Sequence, residues 1–134
     1  MKNKECFCTS FLFLINALVA HHNKYNNYAY AFLILAITSL FHHYYYNNIT
    51  RQIDRIPIIL ITILTIIIFN SKQNKMKLIQ KLYFLFAILS MSYIYFYGYI
   101  KKKYSYDKNH RIACRWHSLL HIIAFISGIY LTII

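Results

Sequence analysis

The sequence predicts an all-α integral membrane protein, a bundle of about five transmembrane helices. Hydrophobic residues make up 59% of the 134 residues and charged residues only 13%, whereas charged residues are about a quarter of an average soluble domain. The charged residues lie between long uncharged stretches and not within them. A disordered chain is excluded by this composition, and a collagen-like chain is excluded because there are two glycines and a single proline.

The uncharged stretches have the length of membrane spans. Windows without Asp, Glu, Lys or Arg cover residues 6–23, 25–50, 56–71, 82–100 and 116–134. A helix needs about 20 apolar residues to cross a bilayer core, and a backbone in lipid satisfies its own hydrogen bonds by becoming helical even where Ile and Tyr are abundant. The predicted spans are approximately 6–22, 28–48, 53–71, 79–100 and 114–134, all in a single domain of residues 1–134.

The first window has a second interpretation, a cleaved secretory signal. Lys2 and Lys4 precede an apolar stretch of suitable length for one. The stretch runs into His21, His22 and Asn23 instead of a small-x-small cleavage site. We therefore favour a membrane span and keep the signal as the alternative.

The distribution of basic residues predicts the orientation in the membrane. With five spans, one side collects Lys2, Lys4, Arg51, Arg55, Lys101, Lys102, Lys103, Lys108, Arg111 and Arg115, and the other side collects Lys24, Lys72, Lys75, Lys77 and Lys81. Since cytoplasmic loops carry the excess of Lys and Arg, the N-terminus is predicted to be cytoplasmic. The net charge of +12 is spread over loops, which favours topology and anionic headgroups over nucleic-acid binding.

The three cysteines predict no disulfide framework. Cys6, Cys8 and Cys114 are an odd number, which fits reduced thiols. Cys6 and Cys8 lie at the predicted membrane edge, where acylation is one interpretation and small apolar residues at a helix start are the simpler one. Cys114 is predicted to lie in the loop from Lys101 to Arg115, next to the approximate start of the last span.

Polar residues inside the predicted spans are candidate site residues, because such residues are costly in lipid. Ser39 and His43 are four residues apart and share a helix face. His117 and His121 are also four residues apart, a spacing that lets two imidazoles reach one metal ion. Asp54 opens the third span. In an up-down arrangement these residues converge on one membrane surface.

Three imidazoles with one open position are the ligand set of a catalytic zinc site, so zinc is the predicted cofactor, held by His43, His117 and His121. His42 replaces His43 if the helix is rotated. The structural interpretations are that Ser39 bonds its own backbone or packs against a neighbour, that Asp54 caps the third helix, and that His117 is an interfacial residue.

The spacing of these residues resembles the CREST superfamily of membrane hydrolases, which includes the alkaline ceramidases and the progestin and adiponectin receptors. Ser39-x-x-x-His43 followed by Asp54 and by His117-x-x-x-His121 is similar to the superfamily signature. Asp54-Arg55-Ile56-Pro57 is similar to the Asp-Glu-Leu-Pro segment of alkaline ceramidases, with Arg55 in place of Glu. The family has seven spans, so the chain resembles a shortened form.

The resemblance implies a function and a role for each residue. It implies that His43, His117 and His121 bind zinc, that Asp54 contacts the water the metal activates, and that Ser39 supports the site by hydrogen bonding. A zinc-dependent hydrolase of a lipid amide or ester follows, with Asp54 as the general base and Ser39 as a donor to the developing oxyanion.

Two other functions stay open at this stage. One is a non-catalytic multispanning protein whose histidines are structural or a relic of an enzyme. The other is bis-histidine haem ligation by His43 with His117 or His121. Five helices complete a bundle alone or through a homo-oligomer, and the sequence leaves both arrangements open.

Overall fold

Helices joined by short turns form the whole of the described chain, which a computed structural model covers from residue 4 to residue 134. The α-helices are α1 (Lys4–Ser10), α2 (Leu12–His22), α3 (Asn26–Tyr45), α4 (Asn48–Lys72), α5 (Leu78–Ser92), α6 (Gly98–Lys101) and α7 (His110–Ile133). A π-helical turn, Tyr93–Tyr97, joins α5 to α6, and a 3-10 turn, Tyr104–Tyr106, precedes α7. No strand occurs within residues 4–134, so the predicted all-α class is confirmed. Lys2, which contributes to the signal and orientation predictions, lies outside the described residues.

The first predicted span is built from α1 and α2, which are separated by the single residue Phe11. Just before it, the hydroxyls of Thr9 and Ser10 both donate to the carbonyl of Cys6, at 3.1 and 2.8 Å. Side-chain bonds of this kind compete with the helical ladder and bend helices. We attribute the break at Phe11 to this competition.

Four stretches of residues 4–134 are long and apolar enough to cross a membrane. They are Lys4–His22, Asn48–Lys72, Leu78–Tyr106 and His110–Ile133. The fifth long helix, α3, has 20 residues and is not among these four. It packs against α1, α2 and α4 and buries residues such as Phe32 and His43 on one side, while Ile37 and Phe41 are exposed on another. The buried face of a bundle helix tolerates polar side chains that a lipid-facing surface does not.

The third span begins earlier than the sequence predicts, at Asn48 instead of residue 53. Asn47 is its N-cap, and the Asn47 side chain and the Thr50 backbone N–H form one half of a capping box at 2.8 Å. Asp54 is therefore a buried residue within α4, and the interpretation that it caps the helix is wrong. Pro57 also lies inside α4.

The last span also begins earlier, at His110 instead of residue 114. The side chain of Asn109 accepts from the N–H of Arg111 at 3.0 Å and caps the helix. This extension places Cys114 on α7, buried against α1. The prediction of a loop at Cys114 is wrong, because a polar N-terminal turn continues the helix beyond its apolar window.

The up-down course of the chain brings several helix ends to one end of the bundle. The N-termini of α1, α4 and α7 and the C-terminus of α3 lie there, since α1 packs on α3 and α7, and α4 packs on α3 and α7. The apolar core around Phe13, Phe32 and Leu131 fills the rest of the bundle. Polar residues near these four helix ends are thereby brought within reach of one another.

Candidate metal centre

Three histidines meet at this end of the bundle. One ligand atom from each of His43, His117 and His121 lies within 4.8 Å of the other two. The ring centroids of the three pairs are 4.8 to 5.3 Å apart. A cluster of this kind fits the size of a single metal site.

Two helices position the three imidazoles. His117 and His121 are one turn apart on α7 and face α3, as expected of residues spaced by four. His43 lies in the last turn of α3, because α3 ends at Tyr45, whose successor Tyr46 adopts a left-handed conformation with φ 50°. The C-terminal end of a helix carries partial negative charge, which favours a cation beside it.

The His43 side chain has no hydrogen-bond partner within the described part of the chain. It is 2% exposed, and both ring nitrogens are buried and unsatisfied. An unpaired buried polar group costs about 1–3 kcal/mol. A metal ion that accepts the lone pair of one nitrogen removes part of this cost, so the ring fits a metal site better than it fits an apolar core.

The His121 ring is oriented by a hydroxyl on α1. Thr9 Oγ1 lies 2.9 Å from His121 Nδ1 and donates its only proton to the carbonyl of Cys6 at 3.1 Å. The hydroxyl therefore accepts from Nδ1–H, and the lone pair of His121 is on Nε2. A second partner that holds one ring nitrogen and leaves the other for a metal is the usual companion of a ligating histidine.

His42 makes a comparable contact with a hydroxyl on α4, although its ring centroid lies 5.0 Å from that of His43. Its Nδ1 lies 3.2 Å from Thr50 Oγ1 on α4, and Thr50 donates its proton to Asn47 O at 3.1 Å. The His42 ring also stacks on Tyr46. Of the two adjacent histidines, the structure places His43, and not His42, with His117 and His121.

Asp54 lies at the interface of α3 and α4. Its Oδ1 accepts from Thr38 Oγ1 at 3.0 Å, one turn from the contact between His42 and Thr50. Thr38 and His42 share one face of α3, while Ser39 and His43 share the next face round. The hydrogen bond of Asp54 is thus made to the face beside the one that carries His43.

Ser39 is bound to α1. Its Oγ lies 2.9 Å from Ser10 Oγ, and Ser10 donates to Cys6 O at 2.8 Å. Because the proton of Ser10 is used in this way, Ser39 donates to Ser10. Ser39 therefore ties α3 to α1 through its hydroxyl proton.

The donor set fits a metal ion that prefers nitrogen. Two nitrogens bound at about 2.0 Å to a tetrahedral zinc are about 3.3 Å apart. The ligand atoms of the cluster lie within 4.8 Å of one another, so holding an ion requires them to approach by at most about 1.5 Å. Nitrogen ligands disfavour magnesium and calcium. The residues that would hold the ion are His43, His117 and His121.

Several residues of this site were missed by sequence reasoning. Thr9 and Ser10 on α1 and Thr38 on α3 hold predicted residues in place. Thr9 is three residues after Cys6 and Thr38 precedes Ser39, but no spacing rule links either residue to a histidine on another helix. Their one signal in the sequence is a hydroxyl inside a predicted span, which is a weak one because such hydroxyls often bond their own helix.

Comparison with known proteins gives no match: no family model, curated protein or solved structure matches this chain.

Proposed function

We propose that this chain is a zinc-dependent intramembrane hydrolase that cleaves an amide or ester bond of a lipid, and that it is related to the CREST superfamily in a shortened form. The observation that carries the proposal is the convergence of His43, His117 and His121, with ligand atoms within 4.8 Å of one another. The unsatisfied nitrogens of His43 and the oriented ring of His121 support it.

Zinc is the proposed ion because three imidazoles and one open position form its characteristic catalytic ligand set. When bound, it supplies Lewis acidity, which activates water and polarises a carbonyl oxygen. A hydrolase is favoured over haem ligation because three imidazoles lie together, with ring centroids 4.8 to 5.3 Å apart, whereas bis-histidine haem ligation would use two of them.

Three polar residues of α3 and α4 would have separate roles in the reaction. Asp54, buried in α4, would accept a proton from the attacking water and deliver it to the leaving amine or alcohol as the carbonyl carbon–heteroatom bond breaks. Thr38 would orient the carboxylate through its hydrogen bond. Ser39 would hold α3 against α1 through Ser10.

A lipid is the proposed substrate class because of where the cluster lies. Its residues belong to helices that are apolar and lipid-exposed on their outer faces, such as Leu119 and Ile122 on α7. An acyl chain lying in the bilayer presents its amide or ester near the membrane surface, where the last turn of α3 carries His43. Many basic residues of the chain lie near the same end of the bundle and suit an anionic headgroup.

The metal is tested by elemental analysis of the full chain purified in detergent. We expect one zinc per chain in the wild type and its loss in His117→Ala. His22→Ala is the matched control, because His22 is exposed at the other end of the first span. Iron with a haem spectrum would contradict the proposal and favour haem ligation. A chain without metal would contradict it and favour structural histidines.

The reaction is tested by the release of labelled fatty acid from ceramide and from phospholipids. We expect release by the wild type and its loss in His117→Ala, with His22→Ala unchanged. Equal release by wild type and His117→Ala would contradict the assignment. Zinc binding without release from any lipid tested would favour a relic site.

A further inference from the structure

We propose that Cys6 and Cys114 form a redox-active dithiol that closes reversibly to a disulfide between α1 and α7. The two sulfurs lie 2.9 Å apart, and the Cys6 thiol also donates to Cys114 O at 3.2 Å. Both residues are free thiols and both are buried, whereas the third cysteine, Cys8, is exposed. An odd number of cysteines does not by itself indicate such a pair.

The geometry favours a bond between these sulfurs. A disulfide has an S–S distance of about 2.05 Å, so the two sulfurs, 2.9 Å apart, need to approach by under an ångström. Ser118, one turn after Cys114 on α7, directs its hydroxyl at Cys6 Sγ at 3.5 Å. The pair is therefore held by contacts from both helices.

A surface groove lined by residues of α1 and α7 lies beside the dithiol. Its lining includes Ser118, which contacts Cys6, and the pair Glu5 and Arg115, whose charged atoms are 3.8 Å apart. Apolar side chains, among them Leu119, complete it. We expect a small neutral oxidant that partitions into lipid or detergent to approach the dithiol from this groove, past Ser118.

Oxidation of the dithiol to a disulfide requires a two-electron oxidant, here one of the azo class such as diamide. The two S–H bonds break and one S–S bond forms, while two electrons and two protons convert the N=N bond of the oxidant to the N–N bond of a hydrazine. A dithiol reductant reverses the step by thiol–disulfide exchange.

The dithiol lies next to the histidine cluster. Thr9, which orients His121, donates to the carbonyl of Cys6, and Cys114 is one turn before His117 on α7. A covalent bond at this position links the first described helix to the last and restrains the same pair of helices that Thr9 and His121 join. The dithiol is independent of the metal, so we expect the disulfide to form in His117→Ala as well.

The test is intact mass spectrometry of the full chain in detergent after oxidation with diamide, denaturation and alkylation with N-ethylmaleimide. The reduced chain, with its three cysteines, is expected to carry three adducts, and the oxidised monomer one. Reduction should restore all three. The matched control is Cys8→Ser, which should go from two adducts to none, and Cys114→Ser should keep two after oxidation.

Mapping of disulfide-linked fragments from the wild type identifies the pair even if Cys114→Ser fails to fold. A fragment joining the segments around Cys6 and Cys114 within one chain is the expected result. Three adducts after oxidation, a disulfide that uses Cys8, or cysteines joined only between chains would each overturn the proposal. None of these outcomes depends on whether the chain binds zinc or hydrolyses a lipid.

Discussion

Single hydroxyl groups decide how the histidines of this bundle are presented. Thr9 holds His121 and Thr50 holds His42, in each case through Nδ1. The first contact orients a ring within the cluster, and the second engages the ring of His42 beside it. Both ring nitrogens of His43 are buried and without a hydrogen-bond partner among residues 4–134, so a metal ion bound by this ring would satisfy one of them.

Replacing Thr9 by Val tests the role of this hydroxyl. The change removes the acceptor of His121 Nδ1–H, and loss of such a partner typically lowers metal affinity about 10- to 100-fold. Competition with a zinc chelator measures it. Thr62→Val is the matched control, because the Thr62 hydroxyl donates to its own helix at Ile58 O and is exposed. Equal affinities of wild type and Thr9→Val would contradict the assigned role.

Replacing Asp54 by Asn tests the proposed general base. A positioned base contributes about 10²- to 10⁴-fold to a rate, so we expect a loss of that size in lipid hydrolysis with the zinc content unchanged. Thr38→Val should retain zinc and lose less activity, because Thr38 acts only through the carboxylate. Loss of zinc in Asp54→Asn would instead indicate a structural role at the interface of α3 and α4.

At the scale of elements, close contacts between helices depend on small residues. Gly128 on α7 packs against α2 and α3: a Cβ at this position would lie 2.8 Å from Phe32 Cζ and 3.0 Å from Asn16 Nδ2. Asn16 is 2% exposed and its amide has no hydrogen-bond partner among the described residues. The bundle therefore packs tightly around a polar side chain at this level.

Gly128→Ala is expected to destabilise the bundle. Alanine is a better helix former than glycine by about 1 kcal/mol, but overpacking costs about 1–3 kcal/mol, and the contacts of Gly128 leave no space for a methyl group. Thermal unfolding in detergent measures the difference. Ile126→Ala on the lipid-facing side, where Ile126 is 49% exposed, should change the unfolding temperature less. An unfolding temperature of Gly128→Ala at or above that of the wild type would contradict the packing argument.

At the scale of the whole molecule, the bundle has two unlike ends. The histidine cluster, the dithiol and the N-termini of α1, α4 and α7 lie at one end. The other end is held by Lys72, which donates to Leu131 O at 2.8 Å and lies over the ring of Tyr25. The helix α5 contributes less to the core, since most of its apolar side chains are exposed, as expected of a helix that faces lipid.

The orientation of these ends in the membrane is a prediction. The larger group of basic residues belongs to the end with the histidines, and the positive-inside rule then places the N-terminus in the cytoplasm. In sealed vesicles with the cytoplasmic face outward, we expect added protease to remove an N-terminal tag. A C-terminal tag should stay protected until detergent is added. The reverse pattern of digestion would show that the cluster faces the opposite side.

The sequence by itself determined the helical class, the approximate positions of the long helices and the shared face of His117 and His121. These are local properties: charge-free windows depend on composition, and the geometry of a helix relates residues four apart wherever the helix lies. Helix starts were displaced because the capping residues Asn47 and Asn109 lie outside the apolar windows.

The meeting of residues from different helices depends on the tertiary structure. The rotation of α3 selects His43 over His42, the position of α1 brings Thr9 to His121, and the packing of α1 on α7 joins Cys6 to Cys114 across 108 positions. Contacts of this kind depend on how whole helices pack and rotate against one another, which no spacing within one helix specifies.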